Sequence, residues 1–152
     1  MFLYRLTRRR HADLTGAGGW LQTGRWHARK GPILYTAESR ALAMLETLVN
    51  LEVELTNLPD DYGYQVIEAP DDDYETVQRQ MILPGGKLDH PSKTAAYGSR
   101  WLLEMRSLLL VVPSIVIPRE SNVIVNPYHP GAKAITTTFE ADVQWDSRLF
   151  KN

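Results

Sequence analysis

What most constrains the fold of this chain is that the period of its apolar residues changes along its length. Phe2, Tyr4 and Leu6 repeat at two, the spacing of a strand, whereas Ala41, Leu45 and Leu48, flanked by Leu42, Met44 and Val49, recur at helical spacing. Ser39 stands where that helix needs an N-cap. Residues 108–112 are apolar without a break, as in a buried strand. Further strands are expected at 33–36, 64–68, 115–117, 123–125 and within 134–145, and a second helix over 92–105, where Ala95, Ala96, Trp101, Leu102 and Met105 fit the helical period. Asp71-Asp72-Asp73 either opens a short helix or forms a solvated acidic loop, the commoner outcome. Strands and helices in this irregular order imply an α+β fold rather than a regular alternation. With 152 residues and no repeat, low-complexity tract or Ser/Gly-rich linker, one domain is expected, with a core over about residues 2–145.

Several functions are disfavoured by what the chain lacks. Its 17 Lys and Arg nearly cancel 18 Asp and Glu, so a globally basic nucleic-acid binder is not indicated. The absence of cysteine excludes a disulfide scaffold, a thiol nucleophile, an iron–sulfur cluster and a Cys-ligated zinc site, and fits an intracellular, cytoplasmic location. Residues 1–10 carry no secretory apolar stretch, and the run at 108–112 falls far short of the roughly 20 residues that span a bilayer. His11, His27, His90 and His129 form no i,i+4 pair, so no metal is expected. No Gly-Lys-Ser/Thr follows a glycine cluster, and 16–19 lacks the strand-to-helix setting of a dinucleotide fingerprint.

Four residues invite chemistry. Arg25, at the end of a glycine-rich loop in Gly24-Arg25-Trp26, can clamp phosphate oxygens bidentately while Trp26 packs beneath it, or be a surface arginine stacked on that ring. Tyr35, between Leu34 and Thr36, suits cross-strand packing or a ligand wall. With Ala41, Leu45 and Leu48 as the buried stripe, Glu46 falls at its edge, partly desolvated. It can stabilise developing positive charge or, more commonly for such a residue, pair with an arginine. Pro113-Ser114 interrupts an apolar run, which makes a bulge that can aim a side chain into a site. Ser114 has no evident His and Asp partners, so its hydroxyl is read as a ligand contact rather than a nucleophile.

Gly24-Arg25-Trp26, the stretch 33–39 running into 41–46, Val112-Pro113-Ser114, and 122–127 with His129-Pro130 together resemble the RES-domain family, the toxin half of RES–Xre toxin–antitoxin pairs. The resemblance runs from Tyr4-Arg5 to about Pro130 and places the family's Arg, Tyr, Glu and Ser on Arg25, Tyr35, Glu46 and Ser114. His27 departs from the Asn that commonly follows Gly-Arg-Trp, and Ser99 from an acidic residue common in the Gly98 to Trp101 segment. The resemblance implies a fold similar to ADP-ribosyltransferases and an enzyme that depletes NAD. Cleaving the nicotinamide–ribose bond creates an oxocarbenium-like centre, which calls for a phosphate clamp, an aromatic wall and a carboxylate. Arg25, Tyr35 and Glu46 would fill those roles, with Ser114 on the nicotinamide ribose or a phosphate.

The expected activity is therefore NAD hydrolysis or phosphorolysis with NAD as substrate and no metal. Transfer of ADP-ribose to a protein target is the alternative, since water, phosphate and a side chain are all open as acceptors. The implied partner is an Xre-type antitoxin that carries the DNA-binding portion, so this chain need not bind DNA or a membrane itself. A carboxylate or chain terminus of that antitoxin would block the Arg25 pocket. A rival from another class is a non-catalytic module in which Arg25 and Arg8-Arg9-Arg10 hold nucleic acid or a phosphorylated partner.

Overall fold

In the computed structural model, which describes residues 1–28, 31–51, 59–141 and 143–150, seven strands form one sheet in the order β4-β5-β6-β2-β1-β3-β7. β1 (Phe2–Arg8) pairs along its whole length with β3 (Tyr62–Glu68), which pairs in turn with β7 (Thr136–Glu140), both antiparallel. On the other side β2 (Leu34–Ala37) pairs with β6 (Ser121–Val125), and β6 with β5 (Leu109–Pro113). β4 (Tyr74–Thr76) joins β5 in parallel, and the crossover this requires is the helix α3 (Pro91–Glu104). The expected α+β class holds.

The two halves of the sheet meet at one residue pair, Tyr4 with Ala37. Beyond it Arg5 to Arg8 and the facing part of β2 diverge, and the space between them becomes a cleft. A short helix, α1 (Gly18–Leu21), within the glycine-rich loop closes one side, and α2 (Arg40–Asn50) the other.

Both faces of β5 and β6 are covered, which is why 108–112 reads as an unbroken apolar run. Leu110, Val112 and Ile124 pack with Trp101, Leu102 and Trp26 on one face. Leu109, Val123 and Val125 pack with Leu3, Leu34 and Ile67 on the other. Central β1 is likewise two-sided: Leu3 and Leu6 are buried in different clusters, while Phe2, at the strand's start, is exposed.

α2 begins as expected, with the Ser39 hydroxyl accepting the Leu42 amide at 3.1 Å. Its buried face is rotated from the expected stripe, because Leu42 and Ala43 are buried and Ala41 is exposed. The expected strand at 115–117 does not form: Ser114 Oγ accepts the amides of both Val116 and Ile117, donors that a strand would have given to a neighbour. Asp71 to Asp73 form a bend ahead of β4 rather than a helix. No helix among the described residues is long and apolar enough to cross a membrane.

Candidate active site

The cleft has a volume of about 1060 Å³ and is lined by Arg25, Tyr35 and Glu46 together. That is at the upper end of ordinary ligand pockets, roughly 300–1,000 Å³.

Arg25 sits at the tip of a tight turn. Gly24 and His27 exchange amide and carbonyl bonds of 3.0 and 3.3 Å, which leaves Arg25 and Trp26 as the two tip residues. Trp26 is buried in the core against α3 and anchors the turn there, rather than packing under the guanidinium. From α3, Thr94 Oγ1 donates to the Arg25 carbonyl at 2.8 Å and Ser99 Oγ accepts the Ala28 amide at 3.0 Å. Gly98 is needed at that contact, since a Cβ would lie 2.0 Å from the Trp26 carbonyl oxygen. The Arg25 backbone is thus held firmly, while its guanidinium forms no ion pair or hydrogen bond with a described residue. It faces the cleft as an open cation.

Tyr35 projects from β2 toward the same turn. Its hydroxyl accepts the Trp26 amide at 3.1 Å and meets His27 Nδ1 at 2.9 Å. Burial pushes its pKa up to about 12, against the opposing bond from Trp26. The phenol stays protonated and fully engaged, so the ring, not the hydroxyl, is what it offers a ligand.

Glu46 follows Leu42 by four residues and Ala43 by three, which puts it on the buried side of α2 rather than on a shoulder. The arginine ion pair expected for it is absent among the described residues. Instead Oε1 accepts from Ser114 Oγ at 2.8 Å and from Asn122 Nδ2 at 2.6 Å. Both bonds fall on one oxygen, and the other has no described partner.

Ser114 is fully buried and does not line the cleft. Its hydroxyl donates to Glu46 and accepts two loop amides, so it reaches the site through Glu46.

Two residues that the sequence reading did not single out belong here. Arg5 lines the cleft from β1 and donates to the His11 carbonyl at 3.0 Å and more weakly to Gln65 Oε1 at 3.4 Å, with no carboxylate among the described residues in ion-pair contact. Burial lowers its pKa, and the charge of Asp13 opposes that; the guanidinium remains a cation. Its only sequence signal was its place in Tyr4-Arg5, where the family resemblance begins, with no role attached. Asn122, in β6, opens the 122–127 motif but was given no role there.

Of the basic cluster, Arg8 pairs with Asp61 at 2.7 Å, Arg9 lies over the Phe139 ring at 4.6 Å and Arg10 Nε donates to His11 Nε2 at 3.1 Å, so each of the three already has a partner. Among the described residues no group of three or more acidic or histidine side chains is placed to hold a metal ion.

The sequence profile of the RES domain matches residues 2–146. The chain is 39% identical over 150 residues to Toxin Res of Pseudomonas putida, covering 99% of this chain and 100% of that one. It is 37% identical over 143 residues to the Prs ADP-ribosylating toxin of Sphingobium sp., covering 91% of this chain and 88% of that protein. The crystal structure of the M. tuberculosis MbcT–MbcA toxin–antitoxin complex shares the fold, with a TM-score of 0.67 over 98% of this chain and 86% of that one at 18% identity.

Proposed function

The chain belongs to the RES domain family, and on that premise we propose that it is the toxin of a toxin–antitoxin pair and cleaves the nicotinamide–ribose bond of NAD. The observation that carries this reading is the half-committed carboxylate of Glu46. One oxygen is fixed by Ser114 and Asn122, and the other has no partner among the described residues beside a cleft that also holds two cations, Arg5 and Arg25, and the Tyr35 ring.

In this reading Arg5 and Arg25 take the diphosphate, each with unspent N–H groups, and the Tyr35 ring stacks on the nicotinamide. The glycosidic electron pair leaves with nicotinamide, and the positive charge that develops on the ribose is stabilised by the free Glu46 oxygen. Water then adds and loses a proton, giving ADP-ribose, or phosphate adds and gives its 1-phosphate. Ser114, buried behind the cleft, acts by orienting Glu46 rather than by touching the dinucleotide, while Asn122 orients the same oxygen from a position that itself lines the cleft. The chemistry draws on no metal ion.

A second acceptor reading is favoured by one relative's name, an ADP-ribosylating toxin: the ADP-ribosyl group passes to a protein side chain. Incubating the purified chain with labelled NAD, with and without phosphate, separates the cases. Free ADP-ribose or its phosphate is expected by mass spectrometry; label found only on protein supports the second reading, and intact NAD rejects both.

The partner in this proposal is an antitoxin of Xre type that carries the DNA-binding portion and presses a carboxylate or chain terminus onto Arg25. The expected result is an inactive complex whose affinity falls as NAD is added and falls again with Arg25→Ala. A complex that binds NAD as tightly as the free chain would place inhibition elsewhere.

A further inference from the structure

The turn that carries Arg25 is tied to β2 through a side chain that the chemistry above leaves idle. His27 is 4% exposed, and its Nε2 lies 2.8 Å from the Gln22 carbonyl oxygen. A carbonyl only accepts, so the ring holds its proton on Nε2 and presents a lone pair at Nδ1. The Tyr35 hydroxyl, 2.9 Å away, must donate to that lone pair, because an unprotonated Nδ1 can only accept, while the same hydroxyl oxygen receives the Trp26 amide. A continuous relay results, from the Gln22 carbonyl through His27 and Tyr35 to the backbone of the Arg25 turn.

We propose that His27, as the neutral Nε2–H tautomer, is a positioning residue that orients the Tyr35 ring and locks the Arg25 turn onto β2, thereby setting affinity for the dinucleotide rather than the rate of bond cleavage. The kinetic part rests on the NAD-cleaving reading; the tautomer and the tie do not. The junction is closed too tightly for a side chain at Gly24, whose Cβ would lie 2.5 Å from the Tyr35 hydroxyl and 3.0 Å from His27 Nδ1. The fastenings from α3, Thr94 and Ser99, reach only the backbone of the turn and its exit. What fixes the turn against β2 is the His27–Tyr35 pair with the Trp26 amide.

The tie is sensitive to acid. A protonated ring would offer N–H at Nδ1, and the Tyr35 oxygen would then receive two donors while its own hydrogen lost its acceptor. The groups that act on the ring are the Tyr35 hydroxyl of β2 and the Gly19 and Gln22 carbonyls of the α1 segment. None is a carboxylate that would hold a proton on the ring. Burial lowers the His27 pKa, partly opposed by the two carbonyls, and so keeps the tie intact at neutral pH.

The imidazole nitrogens of the full chain, read by 15N NMR, test the tautomer without any turnover. A neutral Nε2–H ring at pH 7 is expected, and a proton on Nδ1 or a cationic ring would overturn the proposal. His27→Leu removes the acceptor, whereas His27→Asn places a carboxamide oxygen near the Nδ1 position and does not titrate. KM for NAD is expected to rise about tenfold in H27L with kcat within about threefold, and to return to within about twofold in H27N. The acid fall in kcat/KM that His27 protonation produces should be present in the wild type and gone in H27N. An unchanged KM in H27L, a loss confined to kcat, or equal damage in both variants would overturn the assignment. Should H27L not fold, Tyr35→Phe breaks the same bond from the other end; a wild-type KM there is equally fatal. If the wild type leaves NAD intact, the catalytic reading fails and the NMR result alone decides for or against His27.

Discussion

α2 and α3 are both amphipathic helices laid on one sheet, and they are buried very differently. α3 sinks Thr94, Gly98, Ser99, Trp101 and Leu102, and its glycine lets it touch the backbone of the Arg25 turn. α2 buries only Leu42 and Ala43, and leaves Glu46, Thr47 and Asn50 lining the cleft. α3 gives its apolar and hydroxyl groups to fixing the loop that bears Arg25, while α2 leaves part of its inner face open to the cleft; on the proposed function, that difference separates holding from acting, with the Glu46 carboxylate left to meet a ligand.

The largest effect should come from the holding helix. Trp101 is fully buried and donates from Nε1 to Ser107 Oγ at 2.8 Å. Trp101→Ala is expected to lower unfolding free energy by about 3–5 kcal/mol in urea denaturation; a loss under about 1 kcal/mol would erase the contrast. Glu46→Gln tests the other helix. Turnover of NAD should fall about 10²–10³-fold with the denaturation midpoint almost unmoved, since the amide still accepts from Ser114 and Asn122. A parallel loss of stability would make α2 a second scaffold.

How much of this was legible beforehand depended on whether the signal was local. The start of α2 was readable because the Ser39 cap and helical spacing act within one turn. Its rotation was not, because Ala41 and Ala43 are equally apolar and only packing against Leu6 and Ala37 chooses between them. The strand expected at 115–117 failed because one hydroxyl, Ser114, outbid sheet pairing for two amides. Arg25, Tyr35 and Glu46 do gather in one cleft, as their motifs suggested. Arg5 escaped notice because its place depends on where β1 and β2 part, which no local pattern encodes.

Smaller effects sharpen the same contrast. Ser114→Ala removes one of two bonds that steer Glu46, and kcat should fall about 10- to 100-fold with KM unchanged. A raised KM would mean that the hydroxyl meets the dinucleotide directly. Smallest is Ser39→Ala, which takes away the α2 cap and should lower stability by about 1 kcal/mol in thermal melts.

The two bonds that steady Glu46 come from residues 68 and 76 positions further along the chain. During synthesis, then, Arg25, Tyr35 and Glu46 leave the ribosome long before Ser114 and Asn122. At about 5–20 residues per second, the carboxylate waits roughly 4–15 seconds for its supports. β2 has no partner in β6 until that moment either. On the proposed reading, a nascent chain therefore carries Arg25, Tyr35 and Glu46 without the geometry to use them until Ser114 and Asn122 have emerged, an interval in which a partner can meet it.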